Sequence, residues 1–307
     1  MAMHYQRIAL IGMGLVASSM SQAIRRHDKG VEIAGFTRSA ETREKAERLG
    51  LADRMFDSPG EAAADADLVV LCTPVCSFEG LAREIVPRLK PGATLSDVGS
   101  VKAHVARIVG PLMSDGVHFI PAHPLAGTEN SGPEAGFAEL FDNRWCILTP
   151  DQEVKAEALA RLTGFWESLG ANVEVMDPAR HDTVLAVTSH APHLIAYTMV
   201  GVADHLRRIT KSEVIKYSAA GFRDFTRIAA SDPVMWRDVF LTNKDATIEI
   251  LGRFTEELFA LQRAIRSGDG EMLQQYFERT RAIRQGIVEA GQDTGESDFG
   301  RRPRGEN

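Results

Sequence analysis

The sequence predicts an α/β parallel-sheet domain followed by an all-α domain. Three observations carry that expectation. Short apolar runs alternate with helical segments through the first half, a glycine turn directly follows the first run, and strand signals vanish from about Pro178.

The first element lies in Arg7 to Ser19, RIALIGMGLVASS. Ile8, Ala9, Leu10 and Ile11 read as a buried parallel strand, and after Gly12-Met13-Gly14 the residues Leu15 to Ile24 turn straight into a helix. This is the pattern of a Rossmann-type dinucleotide-binding βα turn. Gly12 permits the tight turn, Gly14 lets backbone amides approach a pyrophosphate, and the small Ala17 at the third glycine position lets helix and strand pack closely. Gly12, Gly14, Leu15 and Val16 are therefore candidate cofactor contacts.

Val31 to Phe36 is the second strand, followed by Thr37-Arg38-Ser39 and a charged helix from Glu41 to Leu49. An NAD-binding fold usually ends this strand in a carboxylate for the ribose hydroxyls, and here that place holds Thr37. Arg38, with the hydroxyls of Thr37 and Ser39, can bind a 2′-phosphate that a carboxylate would repel. NADP is favoured and NAD remains possible; the other reading of Arg38 is a solvated loop charge.

Ala66 to Thr73 is a third strand that stops at Pro74, which places Thr73 and Pro74 under the cofactor. A helix from Phe78 to Leu89 and a strand from Thr94 to Val98 follow, the latter closing in Asp97-Val98-Gly99-Ser100-Val101-Lys102. Phe119-Ile120 leads into Pro121-Ala122-His123-Pro124, and Trp145 to Leu148 and Val173 to Val175 are the expected last strands. Strands separated by helical crossovers predict a parallel sheet covered on both faces.

Beyond Pro178 apolar residues recur at helical spacing through Leu185 to Leu206, Val234 to Leu261 and Met272 to Ile287. The broad stripe of Ile248, Leu251, Phe254, Leu258 and Leu261 calls for a second chain to cover it, hence a homodimer. The expected organisation is a dinucleotide-binding domain over 1–177, a helical substrate and dimerisation domain over 178–290, and a disordered polar tail over 291–307.

A chain of 307 residues has room for two domains, and 44% hydrophobic with 25% charged residues is ordinary globular composition. The net charge of -7 argues against nucleic-acid and anionic-membrane partners but leaves room for local pockets that collect small acids. With no leader pattern and no apolar run of roughly 20 residues, a cytoplasmic protein is expected. Cys72, Cys76 and Cys146 are odd in number and lack the spacing of a zinc site, so buried free thiols and no metal are expected.

Three groups of residues stand out for chemistry. Ser100 and His123 each follow a predicted strand, where open α/β sheets bind ligands, and a neutral histidine there can take a hydroxyl proton while hydride leaves the same carbon. His190 and His193 share a helix face around Pro192, more suited to lining a pocket than to binding metal. Arg223 and Arg227 stand one helical turn apart in Gly221-Phe-Arg-Asp224-Phe-Thr-Arg227 and can fork onto carboxylates, or pair with Asp224 or Asp232 on the surface.

Together these segments resemble the prephenate and arogenate dehydrogenases of tyrosine biosynthesis. The resemblance runs from Arg7 to about Ile287 and rests on five motifs in order: Gly12-Met-Gly14-Leu, Asp97-Val-Gly-Ser100-Val-Lys102, His123-Pro-Leu-Ala-Gly-Thr-Glu129, Ser189-His-Ala-Pro-His193, and Gly221 to Arg227 followed by Asp232-Pro-Val-Met-Trp236. It implies oxidative decarboxylation of a cyclohexadienyl ring, giving 4-hydroxyphenylpyruvate from prephenate or tyrosine from arogenate. By resemblance His123 takes the ring-hydroxyl proton, Ser100 positions that hydroxyl and the nicotinamide, and Arg227 anchors a substrate carboxylate. His193 and Trp236 line the pocket, and Glu129 and Asp224 can gate its mouth. Ala191 replaces the usual leucine of its motif and touches only pocket shape. Feedback by tyrosine, if present, would be competition at the active site, since no regulatory domain is evident.

Two alternatives differ in chemistry. A β-hydroxyacid dehydrogenase would carry a lysine on the first helix of the second domain, yet no lysine occurs between Lys155 and Lys211. A non-catalytic dinucleotide sensor would need neither His123 nor Arg227.

Overall fold

The computed structural model describes residues 5–210 and 219–289. The tail expected to be disordered, 291–307, lies outside the described residues. Two compact units divide the chain after Ile248.

The first unit opens with β1 (Arg7–Ile11), α1 (Leu15–His27), β2 (Glu32–Phe36), α2 (Ala40–Arg48), β3 (Arg54–Met55), α3 (Pro59–Ala63), β4 (Leu68–Leu71), α4 (Phe78–Ile85), β5 (Thr94–Asp97), α5 (Ala103–Val109) and β6 (His118–Phe119). The six strands pair in parallel in the order β3-β2-β1-β4-β5-β6. That order reverses between β1 and β4, which opens a crevice at their carboxyl ends.

Side-chain alternation explains why the sheet must be covered twice. Ile8, Leu10, Ile33, Leu68 and Val70 enter one core with Met20 and Ile24 of α1. Their neighbours Ala9, Ile11, Ala34, Val69 and Leu71 enter the other with Phe78, Ala82 and Ile85 of α4.

The expected last strands depart from the parallel sheet. β7 (Ala122–Pro124), β8 (Trp145–Leu148) and β9 (Asn172–Val175) form a separate three-stranded sheet, with β7 antiparallel to β8 and β8 parallel to β9. Only two residues separate β6 from β7, too few for a crossover back into the parallel sheet. α6 (Ala156–Ser168) joins β8 to β9 and contributes Leu162, Phe165 and Trp166 to the first core. Its Phe165 and Trp166 rings meet edge to face.

The helical half starts at α7 (Pro178–Leu185), capped by Asp177, and passes through a π-turn (Ala186–His190) into α8 (Ala191–Thr210). Just ahead of Pro192 the Ala191 amide bonds the Ala186 carbonyl, a wider turn that admits the proline. α9 (Ala220–Thr226), a 3-10 turn (Arg227–Ala230) and α10 (Pro233–Thr242) follow. The long helix expected from Val234 is interrupted at Asn243, after which α11 (Lys244–Ser267) begins.

The second unit holds most of α11 and all of α12 (Gly270–Glu289). Phe254, Leu258, Phe259, Ile265, Phe277 and Ile283 are exposed there. Among the described residues no helix is long and apolar enough to cross a membrane.

The glycine turn has an energetic signature of its own. Gly12 has φ +102°, and a Cβ there would stand 2.6 Å from Thr73 Cγ2 and 2.9 Å from the Cys72 carbonyl oxygen. A Cβ on Gly14 would meet nothing within 4 Å. Gly12→Ala should therefore lower unfolding free energy in urea by about 1–3 kcal/mol. Gly14→Ala should leave stability within about 1 kcal/mol and weaken dinucleotide binding in a fluorescence titration.

Candidate active site

The carboxyl ends of β2, β1, β4 and β5 stand side by side, fixed by strand-end hydrogen bonds from Gly12 N to Phe36 O, Cys72 N to Ile11 O and Val98 N to Leu71 O. Thr37, Gly12, Thr73 and the Ser100 turn thus form one row. Gly14 caps α1 without a side-chain hydrogen bond, and no acidic residue occupies that helix's first turn. The first amides of α1, at Leu15 and Val16, have no carbonyl one turn earlier to bond. With the open space beside Gly14, this cradle fits a pyrophosphate.

Thr73 donates to Ser77 Oγ, which itself donates to the Pro74 carbonyl, so the β4 end is held as a turn. Ser39 Oγ accepts from Thr42 N and caps α2. Arg38 beside it is exposed and makes no ion pair among the described residues.

His123 sits within β7, buried. Its Nδ1 lies 2.8 Å from His181 Nε2, and His181 Nδ1 lies 2.8 Å from Asp182 Oδ1. Asp182 also accepts the main-chain amides of Lys102 at 2.7 Å and Ala103 at 2.9 Å. Lys102, fully buried, bonds Asp97 and the Ala122 carbonyl, and Asp97 accepts from Gly99 N. The Ser100 turn and the His123 strand are therefore tied to one buried ion pair.

Burial pushes His123 well below the ordinary 6.5, and the positive charge of Lys102 pushes the same way. Burial also lowers His181 and takes His190 down to about 4. His190, in the π-turn, receives the Asn243 side-chain amide at 3.0 Å, and the same amide group donates to the Asp182 carbonyl oxygen at 2.8 Å.

His193 stacks on Trp236 with ring centroids 3.7 Å apart, and His190 meets the same indole edge to face at 6.1 Å. Trp236 packs with Val101 beside the Ser100 turn. Arg227 Nη1 lies 2.9 Å from Glu129 Oε2, both partly exposed. Asp224 is exposed on α9 and makes no hydrogen bond to Arg227 or Glu129 among the described residues; Arg223 is also exposed.

Three features of this constellation are absent from the residue-by-residue reading: the His181–Asp182 pair, the depth of the Asp97–Lys102 pair, and Asn243. The cysteines correct another expectation. All three are free, but only Cys146 is buried, Cys72 is partly so, and Cys76 is exposed in the 3-10 turn after β4.

Residues 20–175 match the family description "Prephenate dehydrogenase, nucleotide-binding domain", and residues 177–279 match "Prephenate dehydrogenase, dimerization domain". The chain is 39% identical over 280 residues to the cyclohexadienyl dehydrogenase of Zymomonas mobilis, covering 91% of this chain and 95% of that protein. Among solved structures, prephenate dehydrogenase of A. aeolicus in complex with hydroxyphenyl propionate and NAD+ is 33% identical with a TM-score of 0.86, covering 92% of this chain and 98% of that one. Synechocystis arogenate dehydrogenase is 28% identical with a TM-score of 0.74, covering 92% and 99%.

A base held neutral by burial works at lower pH than an ordinary histidine. For a reaction that uses His123 as its base, the plateau of kcat should extend below pH 6.5 and fall only at more acidic pH, as His123 gains its proton. A stopped or steady-state pH profile reads this directly, and a limb centred above 6.5 would contradict it.

Proposed function

The chain belongs to the prephenate dehydrogenase family, and from that premise we propose that it catalyses the oxidative decarboxylation of prephenate, arogenate or both. The observation that carries the reading is the buried His123 on β7, which burial pushes well below the ordinary histidine range, together with Arg227, whose pairing with Glu129 shows that it can hold a carboxylate. Residues 1–177 form the dinucleotide-binding domain and 178–290 the substrate and dimerisation domain. The exposed apolar residues of α11 and α12 support a homodimer.

The bound nicotinamide dinucleotide supplies the hydride acceptor for the carbon that bears the ring hydroxyl, and loss of carbon dioxide with aromatisation completes the reaction. His123 takes the hydroxyl proton at Nε2, the nitrogen that His181 leaves unused. Ser100, in the turn after β5, positions that hydroxyl. His193 and Trp236, already stacked, form a preorganised apolar wall. Arg227 binds a substrate carboxylate in a charge-assisted pair. Glu129 holds that guanidinium until a substrate carboxylate takes its place, and Asp224 stands nearby in sequence as a second gating acid. Gly12, Gly14, Leu15, Val16, Thr73 and Pro74 contact the cofactor. Arg38, with Thr37 and Ser39, selects NADP, supported by its exposure and lack of an ion-pair partner among the described residues.

Nicotinamide absorbance followed with each substrate and each cofactor tests the assignment. The wild type should turn over at least one substrate, and His123→Asn should lower kcat by about 10²- to 10⁴-fold with cofactor affinity nearly intact. Equal turnover in the variant would remove His123 as the base. Arg38→Gln should shift kcat/KM from NADP toward NAD by about 10- to 100-fold, the worth of one charge-assisted hydrogen bond; an unchanged ratio would assign the selection elsewhere.

A further inference from the structure

We propose that His181 and Asp182 are positioning residues for His123, holding it in the tautomer protonated on Nδ1 so that Nε2 is bare and ready to accept the substrate proton. The inference rests on the function proposed above and adds two residues that act through the base rather than on the substrate.

The direction of the hydrogen bonds fixes the protonation of each ring. Asp182 receives main-chain amides on both oxygens, from Lys102 on Oδ1 and from Ala103 on Oδ2, and so stands as an acceptor. Its partner, His181 Nδ1, must then be the donor. A neutral imidazole has one N–H, so His181 Nε2 carries a lone pair, and His123 Nδ1 must donate to it. The same limit leaves His123 Nε2 without a proton. Moving that proton to Nε2 would set two lone pairs against each other at 2.8 Å in a buried site.

The relay is anchored at both ends. Asp177 caps α7 through the amides of Ala179 and Arg180, and the His181 amide bonds the Asp177 carbonyl, so both positioning residues sit on a fixed first turn. The Asp182 carbonyl oxygen accepts from Asn243, which fixes it from the far side. The titratable groups around His123 are His181 on α7, Lys102 after β5, His190 in the π-turn and Cys146 on β8. Of these, only His181 hydrogen-bonds the His123 ring.

Long-range proton–nitrogen correlation NMR of the folded wild type, with His123 assigned by its loss in His123→Asn, tests the tautomer without touching the relay. At neutral pH it should show protonated Nδ1 and bare Nε2; the opposite tautomer, or averaging between the two, overturns the proposal. His181→Phe removes the acceptor at similar volume. Its kcat should fall by about 10- to 100-fold, a part of the roughly 10²- to 10⁴-fold that a general base supplies, with KM and cofactor affinity unchanged. Its acid limb should move to lower pH, because protonated His123 loses the acceptor that favoured it. His181→Gln, whose carboxamide can accept from Nδ1, should recover part of the loss. Unchanged kcat in the Phe variant, or a fall with an unmoved limb, overturns the proposal. A wild type inactive on both substrates would instead overturn the functional assignment, and the NMR readout would still decide the tautomer.

Discussion

The structure depends most on the pair of fully buried charges at Asp97 and Lys102. Burial works against both, raising the carboxyl and lowering the ammonium, and their mutual attraction works back. Such a pair is tolerated only when the remaining hydrogen-bonding capacity is filled. Here Asp97 receives the Gly99 and Ala122 amides, and Lys102 donates to the Ala122 carbonyl. Each of these bonds fixes something the site needs. Gly99 precedes Ser100, and Ala122 precedes His123. Removing one partner of a buried pair costs about 3–5 kcal/mol, and in this molecule it would also loosen the Ser100 turn and the His123 strand.

Around this pair the site is built in two textures. The buried part, His123, His181, Asp182, His190 and Asn243, is a continuous set of hydrogen bonds between β7, α7, the π-turn and the break between α10 and α11. Its members have few alternative partners, so it holds geometry. The half-exposed part is the ion pair of Glu129 with Arg227, in partial contact with water. Pairs of that kind exchange partners at little cost. Rigid placement of the proposed base and an exchangeable carboxylate anchor would suit a site in which the reacting carbon must be fixed but the ligand must enter.

The parallel sheet was legible because its signals are local. Ile8–Ile11 and the apolar run containing Leu68–Leu71 are apolar on both faces, and the glycine turn follows β1 within the same few residues. β3 and α3 were not, since a two-residue strand and a five-residue helix leave too short a pattern for periodicity. α5 and α6 lie between segments whose local signals are stronger. The second sheet was hidden for another reason: β7 to β9 look like further members of the series, and only the short β6–β7 link diverts them. Within the site, the residues at strand ends and in glycine-rich motifs stood out. His181 and Asp182 did not, because their meaning lies in contacts across 58 and 80 positions, and nothing in Ala179-Arg180-His181-Asp182 distinguishes them from a charged helix surface.

The charge arrangement also resolves an apparent conflict in the chemistry. A base is weakened by nearby cations, and Lys102 stands close enough to lower His123. Left alone, that ammonium would make an imidazolium at the proposed base costly. Asp97 pairs with it directly, so the ammonium is opposed at close range by a buried carboxylate. Asp182 supplies the compensation from the other side, reaching the new charge through the His181 ring instead of touching it. Direct contact between Asp182 and His123 would have raised the base and favoured its protonated form before substrate arrived. One intervening imidazole keeps the resting histidine neutral while leaving it an acceptor-backed partner once the proton has moved.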